Sequence, residues 1–340
     1  MARTTLLLAA VLGCLVATLP ASPSGAEPVT GARDFVASVR PDPALQAFLD
    51  QTYADLAKRD APLRRTQTRV AILEIDGNEP PRLAHLDGNV PVYPASVVKF
   101  VYLMAAYAFR DQGKLTIDAD LDREIEDMIF QSSNTATQHV VARVTATEPG
   151  GELSPPAYEE FKQRRLSVKR WLADLGIDDL HCVNPTYNGG DISPRERQFL
   201  RDASMPGALP ADGGEFKNRQ AMTAVDTVEL LALLATDRAM APATCEEVRS
   251  RMRRKVAKQP HLAVRIAGGA ERVSDDLIVE AKTGTWGPIW ADAGIVRDGK
   301  GKILVIAAFL DSAPAYRGAF IANLTERVAR RFFTPEAAPH

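Results

Sequence analysis

Apolar positions recur at three- and four-residue steps over residues 43–58, where Leu45, Phe48, Leu49, Tyr53 and Leu56 fall on one face, so an amphipathic opening helix is predicted. Residues 68–75 are rich in branched side chains and end at Asp76-Gly77, and residues 82–86 resume after a proline-containing turn, which predicts a strand pair. The stretch 96–110 carries Phe100, Val101, Met104 and Tyr107 and is apolar nearly all round, the mark of a buried helix. Helical patterning continues over 122–144 and 158–175, with an interruption at Pro149, Ser154 and Pro155-Pro156. Residues 184–210 hold Gly and Pro with little periodicity and read as a functional or mobile loop. Helices return at 222–236 and 245–255, strands at 277–283, 292–297 and 303–310, and a closing helix at 318–333 turns Leu324 and Val328 inward.

This order predicts an α+β fold in which an antiparallel sheet is covered by the terminal helices and an all-helical lobe is inserted in the middle. The expected domain runs over 43–335, with an α/β part at 43–95 and 275–335, a helical lobe at 96–274, and the active site between them. A linker at 27–42 is expected to precede it.

Ahead of that linker, residues 1–26 read as a secretory signal: Arg3, an apolar run from Leu6 to Leu19, Pro20, and small residues Ser24-Gly25-Ala26 before a cleavage point at Glu27. The run of about 14 apolar residues falls short of the roughly 20 needed to span a bilayer. A lipoprotein anchored through Cys14 is the second reading, because Val11-Leu12-Gly13-Cys14 resembles a lipobox. Either way the chain is expected to be exported, to the periplasm or beyond. Cys182 and Cys245 then meet an oxidising compartment, where one disulfide or two buried thiols are both open.

Composition narrows the function. A chain of 340 residues, 46% hydrophobic and 25% charged, with a net charge of -2, has no basic field to collect phosphate backbones, so no nucleic acid is expected as a partner. Five histidines and three cysteines form no Cys-x-x-Cys or His-Glu-x-x-His cluster, so neither a metal nor another cofactor is called for. The protein is expected to act as a monomer on a small molecule or peptide.

Three short motifs occur in order: Ser96-Val97-Val98-Lys99, Ser132-Ser133-Asn134 and Lys282-Thr283-Gly284. Each is cheap alone, but Lys-Thr-Gly is expected only about 0.04 times by chance in such a chain, and the ordered triple is far rarer. Ser96 opens the buried helix, where the dipole favours developing negative charge, and Lys99 lies one turn on, in surroundings that ease loss of its proton. Ser132 offers a hydroxyl that relays a proton, and Asn134 an amide for a substrate carbonyl or for Lys99, although Ser-Ser-Asn-Thr is also ordinary capping chemistry. Lys282 and Thr283 set a cation and a hydroxyl at a strand end, with Gly284 leaving room for substrate along the strand edge.

With "YPASVVKFVYLMAAYAFRDQGKLTID", "MIFQSSNTATQHVV" and "EAKTGTWGPIWADAGIVR", the chain resembles the penicillin-recognising serine hydrolases, most closely the class A beta-lactamases, from about Pro43 to Phe333. The resemblance implies an acylated nucleophile at Ser96, its base partner at Lys99 and a proton shuttle at Ser132. It implies substrate contacts at Asn134, Lys282, Thr283 and Gly284, and an oxyanion hole from the backbone N–H groups of Ser96 and Thr285.

The departures are equally informative. Where class A enzymes carry Glu-Pro-x-Leu-Asn, this chain has Asn184-Pro185-Thr186-Tyr187-Asn188, and the amide of Asn184 cannot take the proton that the missing glutamate would. Asp178, Asp179, Asp191 and Glu196 are the nearby carboxylates that could stand in. Ser-Ser-Asn replaces Ser-Asp-Asn, the link from Ser96 to Ser132 is short, and a more open mouth is expected. The resemblance thus leaves three readings: a slow acyl-enzyme-forming hydrolase of D-alanyl-D-alanine-like ends, a beta-lactamase with a relocated base, and a penicillin- or peptidoglycan-binding module without turnover. Trp286 and Trp290 are expected to pack at the core or rim, His139 and His181 to be structural, and residues 251–258 to form a solvated helical face.

Overall fold

The computed structural model describes residues 31–59, 63–77, 79–190, 192–205, 214–311 and 318–334. The expected export signal, with Cys14 and Glu27, lies outside them, as does Asp191. In chain order the elements are α1 (Ala32–Ser38), β1 (Arg40–Pro41), α2 (Pro43–Arg59), β2 (Thr68–Asp76), β3 (Arg82–Leu86), α3 (Lys99–Asp111), α4 (Ala119–Glu126), α5 (Asn134–Thr145), α6 (Pro155–Arg165) and α7 (Ser167–Asp174). They continue with α8 (Pro194–Arg201), α9 (Ala224–Ala235), α10 (Pro242–Met252), α11 (Ile266–Glu271), β4 (Ile278–Trp286), β5 (Ile289–Arg297), β6 (Lys302–Asp311) and α12 (Phe320–Phe333).

The six strands lie in the order β1-β3-β2-β6-β5-β4. All pairings are antiparallel except the two-residue β1, which runs parallel to β3. Because successive side chains on a strand point to opposite faces, β2 sends Val70 and Ile72 to one core and Ala71 and Leu73 to the other. Both faces are therefore dry, which is why β2 and β6 read as continuous apolar runs rather than alternating ones. One face is covered by Leu45, Leu49 and Leu56 of α2, by α11, and by Phe320, Leu324 and Val328 of α12. Against the other lie α9 and, beyond it, α3, in which every residue from Lys99 to Phe109 is buried. The expected architecture is thus present, and β4 is left as an edge strand beside the start of α3.

Several expectations are corrected. The linker at 27–42 contains α1 and β1, and Ala32 and Phe35 join the core. The helix expected over 122–144 is two: α4 ends at Glu126, a wide π-type turn spans Asp127–Gln131, Ser132 takes a left-handed conformation (φ 57°), and α5 starts afresh. Ser133 is the cap, accepting from the N–H of Ala136 at 3.2 Å, so local side-chain bonding outcompetes helix continuation and releases Ser132 for other work. The helix at 158–175 likewise starts at Pro155 and breaks at Leu166 into α6 and α7. The supposed loop at 184–210 includes α8, announced by Ser193-Pro194 with Glu196 three residues after the cap, Ser193 Oγ accepting from the Glu196 N–H at 3.3 Å. Finally, α11 falls inside the stretch expected to be helical lobe but packs with α12 on the opposite face of the sheet. Cys182 and Cys245 are both buried and free, so the thiol alternative holds.

The α9 layer is the seam between sheet and lobe, and Leu231 within it is fully buried. Leu231→Ala should cost about 2–5 kcal/mol of unfolding free energy, read from the midpoint of a urea titration.

Candidate active site

The turn that carries Ser96 is short and anchored. Ala95 adopts a positive φ of 49°, uncommon for a residue with a Cβ, and one helical turn of Ala95–Val98 leads directly into α3. Val97 and Val98 are fully buried and fix this turn, while Ser96 is partly exposed and lines a cavity of about 190 Å³.

Lys99 points into the protein. Fully buried, it donates from Nζ to the carbonyl of Ser132 at 2.6 Å, to Asn134 Oδ1 at 2.8 Å and to Ser132 Oγ at 3.4 Å. Burial lowers its pKa from the ordinary lysine value to about 7. Lys282, 1% exposed on β4, donates to the same Ser132 Oγ at 2.9 Å and to the carbonyl of Thr283 at 2.9 Å. Its pKa falls well below the usual range, first by burial and then by repulsion from Lys99. The hydroxyl of Ser132 therefore sits between two ammonium groups, each of which gives up its proton more readily than a solvated lysine.

Asn134 is used differently from expectation. Its Oδ1 accepts from Lys99 and from Thr186 Oγ1, the latter at 2.8 Å, and its Nδ2 donates to the carbonyl of Tyr187 at 3.1 Å. It thus accepts from Lys99 rather than donating to it, and ties the 184–188 loop to the lysine. Gly284 has a role the sequence did not reveal: a Cβ there would stand 2.8 Å from the carbonyl of Pro94 and 3.1 Å from the N of Val97. Its bare backbone makes room for the Ser96 turn, not for substrate alone. Thr283 is partly exposed and Thr285 exposed, its hydroxyl accepting from Arg265 at 2.7 Å.

The 184–187 stretch, where the sequence leads us to expect a loop carboxylate to be missing, reaches the cavity. Asn184 is 2% exposed and lines it together with Pro185, Thr186 and Tyr187. The carbonyl of Asn184 accepts from Tyr102 Oη and Gln220 Nε2, which fixes the loop. Asn188 is exposed beyond this wall and donates to Thr135. Of the nearby carboxylates, Glu196 is held by Arg165 and accepts from Tyr187 Oη at 2.7 Å, while Asp178 and Asp179 are exposed at the surface. Among the described residues no Asp or Glu lines the cavity.

Some contributors were not foreseen. Arg254, placed by the sequence on a solvated helical face, lies beyond the end of α10, is 5% exposed and donates to the carbonyl of Ile129 at 3.0 Å; Gln259 donates to that of Phe130 at 3.2 Å. These two side chains clamp the turn that delivers Ser132. Arg265 stacks on Trp290 with its guanidinium 3.3 Å from the ring centre, supports Thr285 and donates to the carbonyl of Ala291 at 2.6 Å. Only a run of basic residues marks Arg254 in the sequence, and nothing marks Gln220 or Arg265. Trp286 is 56% exposed at the rim, edge-on to Tyr93. His139 pairs with Glu124 at the surface and His181 is buried against Asn218. Among the described residues no group of His, Cys, Asp and Glu could hold a metal ion, and no helix is long and apolar enough to cross a membrane.

A sheet between two helical layers, with a serine, two buried lysines and a Ser-x-Asn turn meeting at its edge strand, defines the beta-lactamase-like serine hydrolase fold. The sequence model of the beta-lactamase enzyme family matches residues 157–332, and the chain belongs to that family. Among solved structures, PBP-A is similar over 86% of this chain and 97% of its own, at 20% identity and a TM-score of 0.56. An ancestral (GNCA) class A beta-lactamase matches over 84% of this chain and all of its own, with 19% identity and a TM-score of 0.57. A beta-lactamase from Chitinophaga pinensis DSM 2588 gives 18% identity, 84% and 99% coverage and a TM-score of 0.57. No curated protein sequence matches.

Because β4 and the Ser96 turn touch backbone to backbone at Gly284, Gly284→Ala should displace them by several tenths of an ångström. The unfolding free energy should fall by about 1–3 kcal/mol, read from a urea titration, with far-UV circular dichroism of the folded protein unchanged.

Proposed function

We propose that the protein is an exported active-site-serine hydrolase that forms an acyl-enzyme on Ser96 with a beta-lactam or a D-alanyl-D-alanine-like peptide and releases it slowly. The observation that carries this reading is the setting of Lys99: buried, held by Ser132 and Asn134, and with a pKa near neutrality, beside a cavity that no carboxylate lines among the described residues. In acylation the neutral amine of Lys99 takes the proton of Ser96, whose Oγ bonds to the substrate carbonyl carbon. The C–N bond breaks, and the leaving nitrogen receives a proton through Ser132, which Lys99 and Lys282 both contact. The N–H groups of Ser96 and Thr285 take the oxyanion, and Lys282, Thr283 and Asn134 line the substrate's path.

Release is the weak step. Asn184 in the loop cannot deprotonate water, and Glu196, twelve residues on, is committed to Arg165 and Tyr187. A beta-lactamase with a relocated base would need a carboxylate that the cavity wall lacks among the described residues. A variant of PBP-A has been solved as an acyl-enzyme complex with penicillin-G, which lends the first half of this cycle a structural parallel.

Intact-mass spectrometry of the protein mixed with penicillin G, followed over hours, should give an adduct that persists and is absent from Ser96→Ala. Rapid loss of the adduct with the drug consumed would establish the beta-lactamase reading, and no adduct at all the binding-module reading. Since Lys99 must be neutral to act, the acylation rate should be low in acid, rise with pH through about 7 and level off above it. Stopped-flow acylation across that range tests the assignment, which a flat profile overturns.

A further inference from the structure

The cavity that Ser96 lines holds about 190 Å³, less than the roughly 300–1,000 Å³ of an ordinary small-molecule site, so a substrate of any length must extend beyond it. Three of its wall residues, Tyr93, Arg219 and Trp286, also wall a second groove of about 420 Å³, where β2 and β5 begin and β6 ends. The lining of that groove is mostly apolar, with Val90, Val92, Ile289 and Phe309, and it is preformed, since Val92 and Met222 exchange backbone hydrogen bonds at 3.0 Å. Among the described residues Trp286 is the one large apolar side chain left open to water, and it stands at the junction of the two spaces, edge-on to Tyr93 at 5.6 Å. The charged side chains of the groove are Arg69, Arg219 and Asp311, so cations outnumber anions. Arg69 lies 4.0 Å from Asp87, which Arg65 holds more closely at 2.5 Å.

On the acyl-enzyme reading, on which this inference rests, β4 gives the substrate a direction. Lys282 and Ser132 stand at the leaving nitrogen and the Thr285 N–H at the acyl carbonyl, so the next residue of the strand, Trp286, meets the acyl side. We propose that the groove beyond the Tyr93–Trp286 pair is a subsite for the acyl-side arm of the substrate, and that the arm it selects is long, apolar and ended by a carboxylate. The arm leaves the Ser96 cavity over the Trp286 ring and buries its methylenes against Val92, Ile289 and Phe309. Its carboxylate then lies in the field of Arg69 and Arg219, where an ammonium would be repelled. Choice of substrate is thereby made away from the reacting bond, by the acyl chain rather than by the leaving group.

The test uses the full chain and four penicillins that share one nucleus and differ only in the amide arm: acetyl, octanoyl, and the octanoyl length ended by a carboxylate or by an ammonium. Acylation rates at low drug concentration, followed by intact mass, should be about tenfold higher for octanoyl than for acetyl. The carboxylate arm should react about threefold faster than the ammonium arm. Val90→Trp fills the groove from a partly exposed position on its wall. In that variant the ratio of octanoyl to acetyl rates should fall to about one, a ratio that a general loss of activity does not move. A ratio that is unchanged in Val90→Trp places the arm elsewhere and overturns the inference. Equal rates for all four arms overturn it while leaving the acyl-enzyme reading standing, and an ammonium arm faster than the carboxylate arm overturns the kind of arm assigned. Should none of the four form an adduct, the acyl-enzyme reading itself falls, and this inference with it.

Discussion

Two buried lysines converging on one serine hydroxyl are the constraint around which the rest of this molecule is arranged. Lys99 and Lys282 come from elements nearly two hundred residues apart, and each is removed from water at a cost that only dense hydrogen bonding offsets. Lys99 directs its Nζ at the Ser132 carbonyl and hydroxyl and at Asn134, and the 127–134 segment leaves the helix and turns these polar groups inward. Arg254 and Gln259 then hold the carbonyls of that turn, and Asn134 passes the constraint to the 184–188 loop through Tyr187 and Thr186. The Ser96 turn closes the arrangement from the other side by resting on the bare backbone of Gly284.

Much of this scaffold could be read from residues. Strand and helix positions followed the apolar periodicity because the sheet is buried on both faces and its flanking helices on one. The motif serines and lysines were visible because their chemistry is sparse and ordered. The break between α4 and α5 was hidden, since the apolar residues on either side of Ser132 keep helical spacing across a turn that is not helical. The roles of Arg254, Arg265 and Gln220 were hidden for a different reason: each acts on a backbone carbonyl or a hydroxyl brought near only by tertiary folding, so no local pattern records it.

Asn184 illustrates both sides. The sequence shows an amide where the resemblance implies a carboxylate, while only the structure shows the asparagine inside the wall of the cavity with its amide held by Asn218. The loop keeps its place by other means, through Tyr102 beneath it and the Arg165–Glu196 pair behind it. The loop thus stays in the cavity wall with an amide rather than a carboxylate at residue 184, so its placement does not depend on a charged group there.

The sheet order carries a consequence for how the molecule is made. Strand β2 pairs along its whole length with β6, and the site draws on residues from Ser96 to Arg265 and Lys282. Contacts of such sequence separation close late and slowly. A chain still being synthesised has an exposed β2 edge, no second lysine and no Gly284 for the Ser96 turn to rest on, so the site is assembled only once the last strand is in place. Completion of the chain thus sets the moment at which the two lysines and the serine turn first meet.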